Sequence, residues 1–200
     1  MRVINLLRYK EFINESKINK VGPVFHGSCH KFDIFDFEKL GKDGHMMSFL
    51  GVHFSESEDV AEIFMGSPDY IFYEVELNVR NPLITKEGDL MRKMFKFGID
   101  NGTINPTEIF TRPESELFSI PYYSKNDLCL NDLLMRGLMK YSKKISLNYK
   151  KHLIKQGYDS IKYKNELEKP EINRWDWIAF EPEQIKILHT WNQKPILKSA

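Results

Sequence analysis

The chain has 200 residues, 42% of them hydrophobic, enough for one domain with a buried core. A formal net charge of +1 excludes a global electrostatic drive toward nucleic acid or membrane. No apolar run approaches the roughly 20 residues of a membrane span, the first residues lack a secretory leader pattern, and Cys29 and Cys129 fit no paired metal spacing. The expectation is a single cytoplasmic domain over 1–200 with two free thiols.

Leu6, Leu7, Tyr9, Phe12 and Ile13 recur at spacings of three and four, which predicts an amphipathic helix over 4–16 within an N-terminal segment 1–20. Val21-Gly22-Pro23 breaks it, and a strand follows over 24–28. Aromatics and acids alternate over 31–40, a packed loop or short helix. The Gly- and Met-containing stretch 41–48 is expected to be mobile. A strand is predicted over 49–54. Ser55 and Glu58 then make a capping box for a helix carrying Val60, Ala61, Ile63 and Phe64.

Ile71, Tyr73, Val75, Leu77 and Val79 fall on one face by strict alternation, the clearest strand in the chain. Asn81-Pro82 is expected to end it. A helix is predicted over 89–100 with Leu90, Met94 and Phe97 inward, closed near Gly102. The region 103–156 is read as an insertion: a proline-containing irregular stretch to 125, a helix over 126–144, and a second over 147–156 stopped by Gly157. Strands follow over 158–163, 175–180 and 184–188. Strands and helices do not alternate one for one, so the fold class is α+β rather than a doubly wound parallel sheet.

Three polar side chains sit where a core would not ask for them. His26 ends a strand beside Gly27, which lets a ligand approach the backbone closely, and Ser28 adds a hydroxyl. His53 lies on the opposite face of its strand from Val52 and Phe54, where a flat ring can stack on a heterocycle. Asp176 stands between Trp175 and Trp177, a setting that shifts a carboxyl pKa. Each residue alone also fits a structural role, and for His26 and Asp176 that is the simpler reading. No Cys-x-x-Cys pair, P-loop or Gly-x-Ser-x-Gly elbow is present. Between Arg136 and Lys164 basic residues dominate and Asp159 is the only acid, either a solvated face or a phosphate-binding surface.

Taken together these segments resemble the ADP-ribosyltransferase superfamily in its His-Tyr-Glu branch. Val24-Phe25-His26-Gly27-Ser28 is similar to the first motif, Gly51-Val52-His53-Phe54-Ser55 with the helix through Ala61 and Phe64 to the second. Tyr73-Glu74-Val75-Glu76-Leu77 resembles the strand that follows. Gly157-Tyr158-Asp159-Ser160-Ile161 resembles a late strand of small members. Asp176 through Phe180, with Gln184-Ile185 after it, resembles the third motif. His53 stands where the branch usually has Tyr, and Asp176 where it has Glu. Glu171 is a fallback acid.

The resemblance implies a split mixed β-sheet with a helical insertion, NAD as co-substrate, and transfer of ADP-ribose to a protein, RNA or DNA acceptor by a phage effector or bacterial toxin that a partner protein could neutralise. It implies that His26 bonds the adenosine ribose, that the Gly27 backbone holds the carboxamide, and that His53 stacks on nicotinamide. Asp176 would stabilise positive charge on the neighbouring ribose. Ser28, Phe54, Ser55, Ala61 and Phe64 would complete the cofactor site, with no metal. Two alternatives stay open: a binding module with a decayed site, and an RNA 2′-phosphotransferase-like enzyme. The latter class depends on paired cleft arginines, and near the motifs this chain has only Arg80 and Arg174.

Overall fold

The computed structural model describes residues 18–41, 47–61, 71–105, 141–165 and 174–192. Within them seven strands form one mixed sheet: β1 (Asn19–Ser28), β2 (Val52–Ser55), β3 (Ile71–Val79), β4 (Pro82–Lys86), β5 (Ser160–Lys164), β6 (Trp175–Ala179) and β7 (Ile185–Asn192), in the order β4-β5-β6-β2-β1-β3-β7. β4 and β5 run parallel and every other neighbouring pair is antiparallel.

β3 has the strict alternation expected of it. Tyr73, Val75, Leu77 and Val79 are buried on one face, and the strand is clamped between β1 and β7. β1 departs from expectation. It begins at Asn19, so the last residues of the expected N-terminal helical segment are strand; the predicted helix over 4–16 lies outside the described residues. Gly22-Pro23 does not precede the strand but sits inside it. The peptide is cis, and the register with β3 jumps between Val21 and Val24. A bulge is where a strand tolerates proline, which has no N–H to give the ladder.

β2 also starts later than expected. Met47–Phe49 form a 3₁₀ turn, and the strand begins only after Gly51. The expected capping box is displaced: Ser55 belongs to β2, and the short helix α1 (Glu58–Ala61) starts beyond it. The Ser55 hydroxyl accepts from the Ser57 amide at 3.1 Å, and Ala61 N–H reaches Ser57 O. Ile63 and Phe64 fall outside the described residues.

Asn81-Pro82 follows the end of β3 as expected, and it turns the chain into a further strand, β4. Proline is tolerated as the first residue of an edge strand, and Ile84 there is 64% exposed, so no buried alternation announced it. Helix α2 (Glu87–Asp100) buries Leu90, Met91 and Met94, and the turn after it passes through Gly102 at φ +71°. Helix α3 (Ser142–Lys155) runs through the boundary expected between two helices. Ile145, Tyr149 and Leu153 keep one apolar stripe across it, and Ser146 bonds its hydroxyl back to Ser142 O at 2.7 Å. Residues 106–140 lie outside the described residues, so the first part of the expected insertion does too. Its last part is core: α3 packs with α2 over Ile161 and Ile178. The opposite face holds Val24, Phe54, Tyr73, Val75 and Trp177. Burying each such side chain contributes roughly 1.5–3 kcal/mol.

β1 and β2 meet in register at one position, Phe25 opposite Ser55. This thin joint in the middle of the sheet separates β4-β5-β6-β2 from β1-β3-β7.

Candidate functional site

A cleft of about 810 Å³ opens at this joint. His26, Gly27 and Ser28 of β1, His53, Phe54 and Ser55 of β2, Ala61 of α1 and Asp176 of β6 all line it. Residues from three separated stretches of sequence are therefore brought together as expected; Phe64 and Glu171 lie outside the described residues. Side-chain alternation along the paired strands puts His26 and Phe54 on one face of the sheet, and His53, Ser55 and Asp176 on the other. They share a cleft because the ladder is not continued past Phe25 and Ser55.

His26 bridges the joint. Its Nδ1 lies 2.8 Å from His53 O. A carbonyl only accepts, so Nδ1 carries the proton and the neutral ring keeps Nε2 as an acceptor. Phe35, Phe54, Phe32 and Tyr73 surround the ring at centroid distances of 5.2–6.3 Å. Burial among them pushes the imidazole pKa below its usual value, against the hydrogen bond to His53, which raises it. Phe32 stacks on Tyr73 at 4.4 Å, and the Tyr73 hydroxyl accepts from Phe32 N–H at 2.8 Å. That pair pins the loop after β1 over the histidine.

His53 is held by its edges. Nε2 donates to Met47 O at 3.0 Å, which leaves Nδ1 as the acceptor for the Tyr163 hydroxyl at 3.2 Å. The two bonds fix the plane of the ring.

Asp176 is 3% exposed. It stands opposite Ser55 on β2 and Tyr163 on β5. Asn165 donates Nδ2–H to its Oδ2 at 2.6 Å, and Arg174 Nε lies 3.9 Å from Oδ1. The buried Oδ1 has no hydrogen-bond partner. Burial raises the carboxyl pKa; Asn165, Ser55 and Arg174 oppose the rise, and the charge of Glu56 adds to it. Glu56 itself is held by Lys162 at 3.0 Å and by Trp177 Nε1–H at 3.0 Å.

Sequence reasoning missed Tyr163 and Asn165 and counted Arg174 only as a nearby arginine. Alternation along β5 and β6 puts Tyr163, Asn165, Arg174 and Asp176 on one face, but which strands pair is not written in either segment. Arg80 is remote: its backbone N–H binds Asp159 at the β3–β4 turn. Cys29 is exposed at the cleft. Among the described residues no group of three or more His, Cys, Asp or Glu side chains is placed to hold a metal ion, and no helix is long and apolar enough to cross a membrane.

The basic run is not one surface. Lys143, Lys144, Lys151 and Lys155 are exposed on α3. Lys150 instead pairs with Glu181 at 3.2 Å, and Lys162 with Glu56. Arg136 and Lys140 lie outside the described residues.

Residues 20–193 match the model of a protein family described as ADP-ribosyltransferase in polyvalent proteins. Neither the curated proteins nor the solved structures contain a match to the chain.

Proposed function

The chain belongs to the family of ADP-ribosyltransferases in polyvalent proteins, and on that premise we propose that it transfers a single ADP-ribose from NAD to a macromolecular acceptor. One observation carries the reading. A nearly buried carboxyl whose Oδ1 has no hydrogen-bond partner, that of Asp176, stands in the wall of a cleft that also holds two histidines from distant segments. The cleft's volume, its apolar walls and the polar groups set among them suit a dinucleotide.

NAD, when bound, supplies an ADP-ribosyl group already attached to a good leaving group, nicotinamide. The chain's own residues then have positional and electrostatic work to do. His26, neutral and with Nε2 as an acceptor, would take a ribose hydroxyl proton in a hydrogen bond. Gly27, without a side chain, would let the β1 backbone meet a carboxamide. His53, fixed at both nitrogens, would offer its face for stacking. Asp176 in its ionised form would hold a ribose hydroxyl and stabilise positive charge that develops beside it. Ser28, Phe54, Ser55 and Ala61 would line the bound dinucleotide.

The acceptor is a protein or a nucleic acid in the bacterial cytoplasm, and the biological setting a phage effector or a conflict toxin open to neutralisation by a partner. The four exposed lysines of α3 support the nucleic-acid branch. Transfer to RNA or DNA through them would fall steeply with salt.

The test is incubation of the protein with NAD and a bacterial lysate beside Asp176→Ala, following nicotinamide release and ADP-ribose adducts by mass spectrometry. Adducts that vanish in the variant, a loss on the order of 100-fold or more, support the reading. Loss of the adducts on nuclease treatment identifies a nucleic-acid acceptor. Undiminished transfer by Asp176→Ala, or nicotinamide release by neither protein, overturns it.

A further inference from the structure

We propose that Asn165 is a positioning residue for the transfer step, holding Oδ2 of Asp176 so that Oδ1 is left as the oxygen that receives the ribose hydroxyl. This rests on the reading of Asp176 as the acid of the site.

The geometry has three parts. The donor is close, 2.6 Å from Nδ2 to Oδ2, and both residues are 3% exposed, so water does not compete for the bond. Its chemistry is selective. An amide donates without adding charge, so the carboxylate keeps its full negative charge for a ligand; a lysine at 165 would cancel it. The cation paired with this carboxyl, Arg174, stays 3.9 Å from Oδ1, beyond hydrogen-bonding reach. Finally, Asn165 is built into the scaffold. It follows β5 directly, two residues after Tyr163, on the same face of the extended chain. Tyr163 orients His53 and Asn165 orients Asp176, so one strand serves as the bracket for two walls of the cleft.

A hydrogen bond to a carboxylate also favours its ionised form, which works against the burial of Asp176. The charged or titratable groups around that carboxyl are Arg174 just before its own strand, Glu56 and His53 from the β2 segment, and Tyr163 on β5. Lys162 faces the other side of the sheet, with Trp177 at 4.7 Å, and neutralises Glu56. Loss of the Asn165 bond leaves burial less opposed.

The experiment uses NAD with water as the acceptor and reads nicotinamide release against pH for wild type, Asn165→Ala and the near-isosteric Asn165→Asp. The expected result is a fall in kcat of about 10-fold or more with KM for NAD within about two-fold. The ascending limb of the pH profile should move on the order of one unit to the alkaline side. A limb that does not move in either folded variant overturns the proposal. A wild-type measurement guards against variants that fail to fold. In ¹⁵N- and ¹³C-labelled protein, with Asp176→Asn used for assignment, the Asn165 side-chain amide proton should titrate with the same midpoint as the Asp176 carboxyl carbon. Independent midpoints also overturn the proposal. Full nicotinamide release by Asp176→Asn would instead remove the underlying reading of the acid, whatever the NMR midpoints give.

Discussion

His26 donates its Nδ1 proton to the main-chain carbonyl of His53 across 2.8 Å. In an uninterrupted antiparallel ladder a backbone N–H would take such a carbonyl; at the joint between β1 and β2 an imidazole takes it instead. The bond fixes the His26 tautomer and ties the backbone of one cleft histidine to the ring of the other. It also spans the point where the sheet is most thinly joined.

That arrangement has a pH signature. Burial holds the His26 ring below the ordinary imidazole value of 6.5, so the unfolded chain protonates first as pH falls. Its contribution to stability is complete above about pH 6.5 and is lost as pH drops through the lowered folded value. Melting temperatures from pH 8 to pH 5 should therefore decline in wild type. In His26→Asn, which keeps an amide donor near the Nδ1 position but cannot titrate, the His26 share of that decline should be missing. Identical slopes in the two proteins would show that His26 is not the titrating group.

Tyr163→Phe isolates the orientation of His53. The substitution removes only the hydroxyl that donates to Nδ1 at 3.2 Å and leaves the ring that lies edge-on to the imidazole at 6.1 Å. One neutral hydrogen bond is worth about 0.5–1.5 kcal/mol, so NAD affinity should weaken by roughly 2- to 10-fold if the His53 face stacks on nicotinamide. His53→Ala should weaken it further, because the flat ring is gone. His53→Tyr keeps a flat ring but cannot satisfy both Met47 O and Tyr163 in the same way, so its affinity should fall between those of wild type and His53→Ala. Titration calorimetry with NAD checks all three; unchanged affinity in His53→Ala excludes stacking.

How much of this was legible follows from what each feature depends on. β3 and α2 could be read because their periodicities, two and 3.6, are local properties of the sequence. The cleft residues His26, His53 and Asp176 could be picked out as polar intrusions in apolar strands. β4 was invisible because an edge strand with Ile84 exposed carries no buried alternation. Tyr163 and Asn165 were missed because their importance lies in register. Only the pairing of β5 with β6 sets Tyr163 opposite Asp176, and neither segment encodes its partner. The displaced start of β2 has the same origin, since Gly51 is placed by its neighbour strand rather than by its own flanks.

Gly51→Ala tests that placement. A Cβ there would stand 1.9 Å from Ala179 O and 2.9 Å from Ile178 Cγ2. The first obstacle is backbone in the adjoining strand and cannot rotate away. Relief requires β2 and β6 to separate, which also pulls Ser55 from Asp176. Overpacking of this kind costs about 1–3 kcal/mol or somewhat more. Urea unfolding should report a lower midpoint, and any folded fraction should show reduced transfer. An unchanged midpoint would mean that the two strands do not approach this closely.

Asp176→Asn separates function from stability at the same residue. Burial raises the folded pKa of Asp176, so this group favours the folded state most below the ordinary carboxyl range. That contribution is lost as pH rises through the raised value. At neutral pH the ionised acid is therefore a cost to the fold, carried for its use in the cleft. Asparagine removes the charge while its side-chain oxygen can still accept from Asn165. The variant should melt higher than wild type at pH 7 to 8, the difference should shrink as pH falls toward 4, and nicotinamide release should drop on the order of 100-fold or more. A variant that is both inactive and less stable at neutral pH would instead identify the Asp176 carboxylate as a structural anchor, with Arg174 as the partner that needs it.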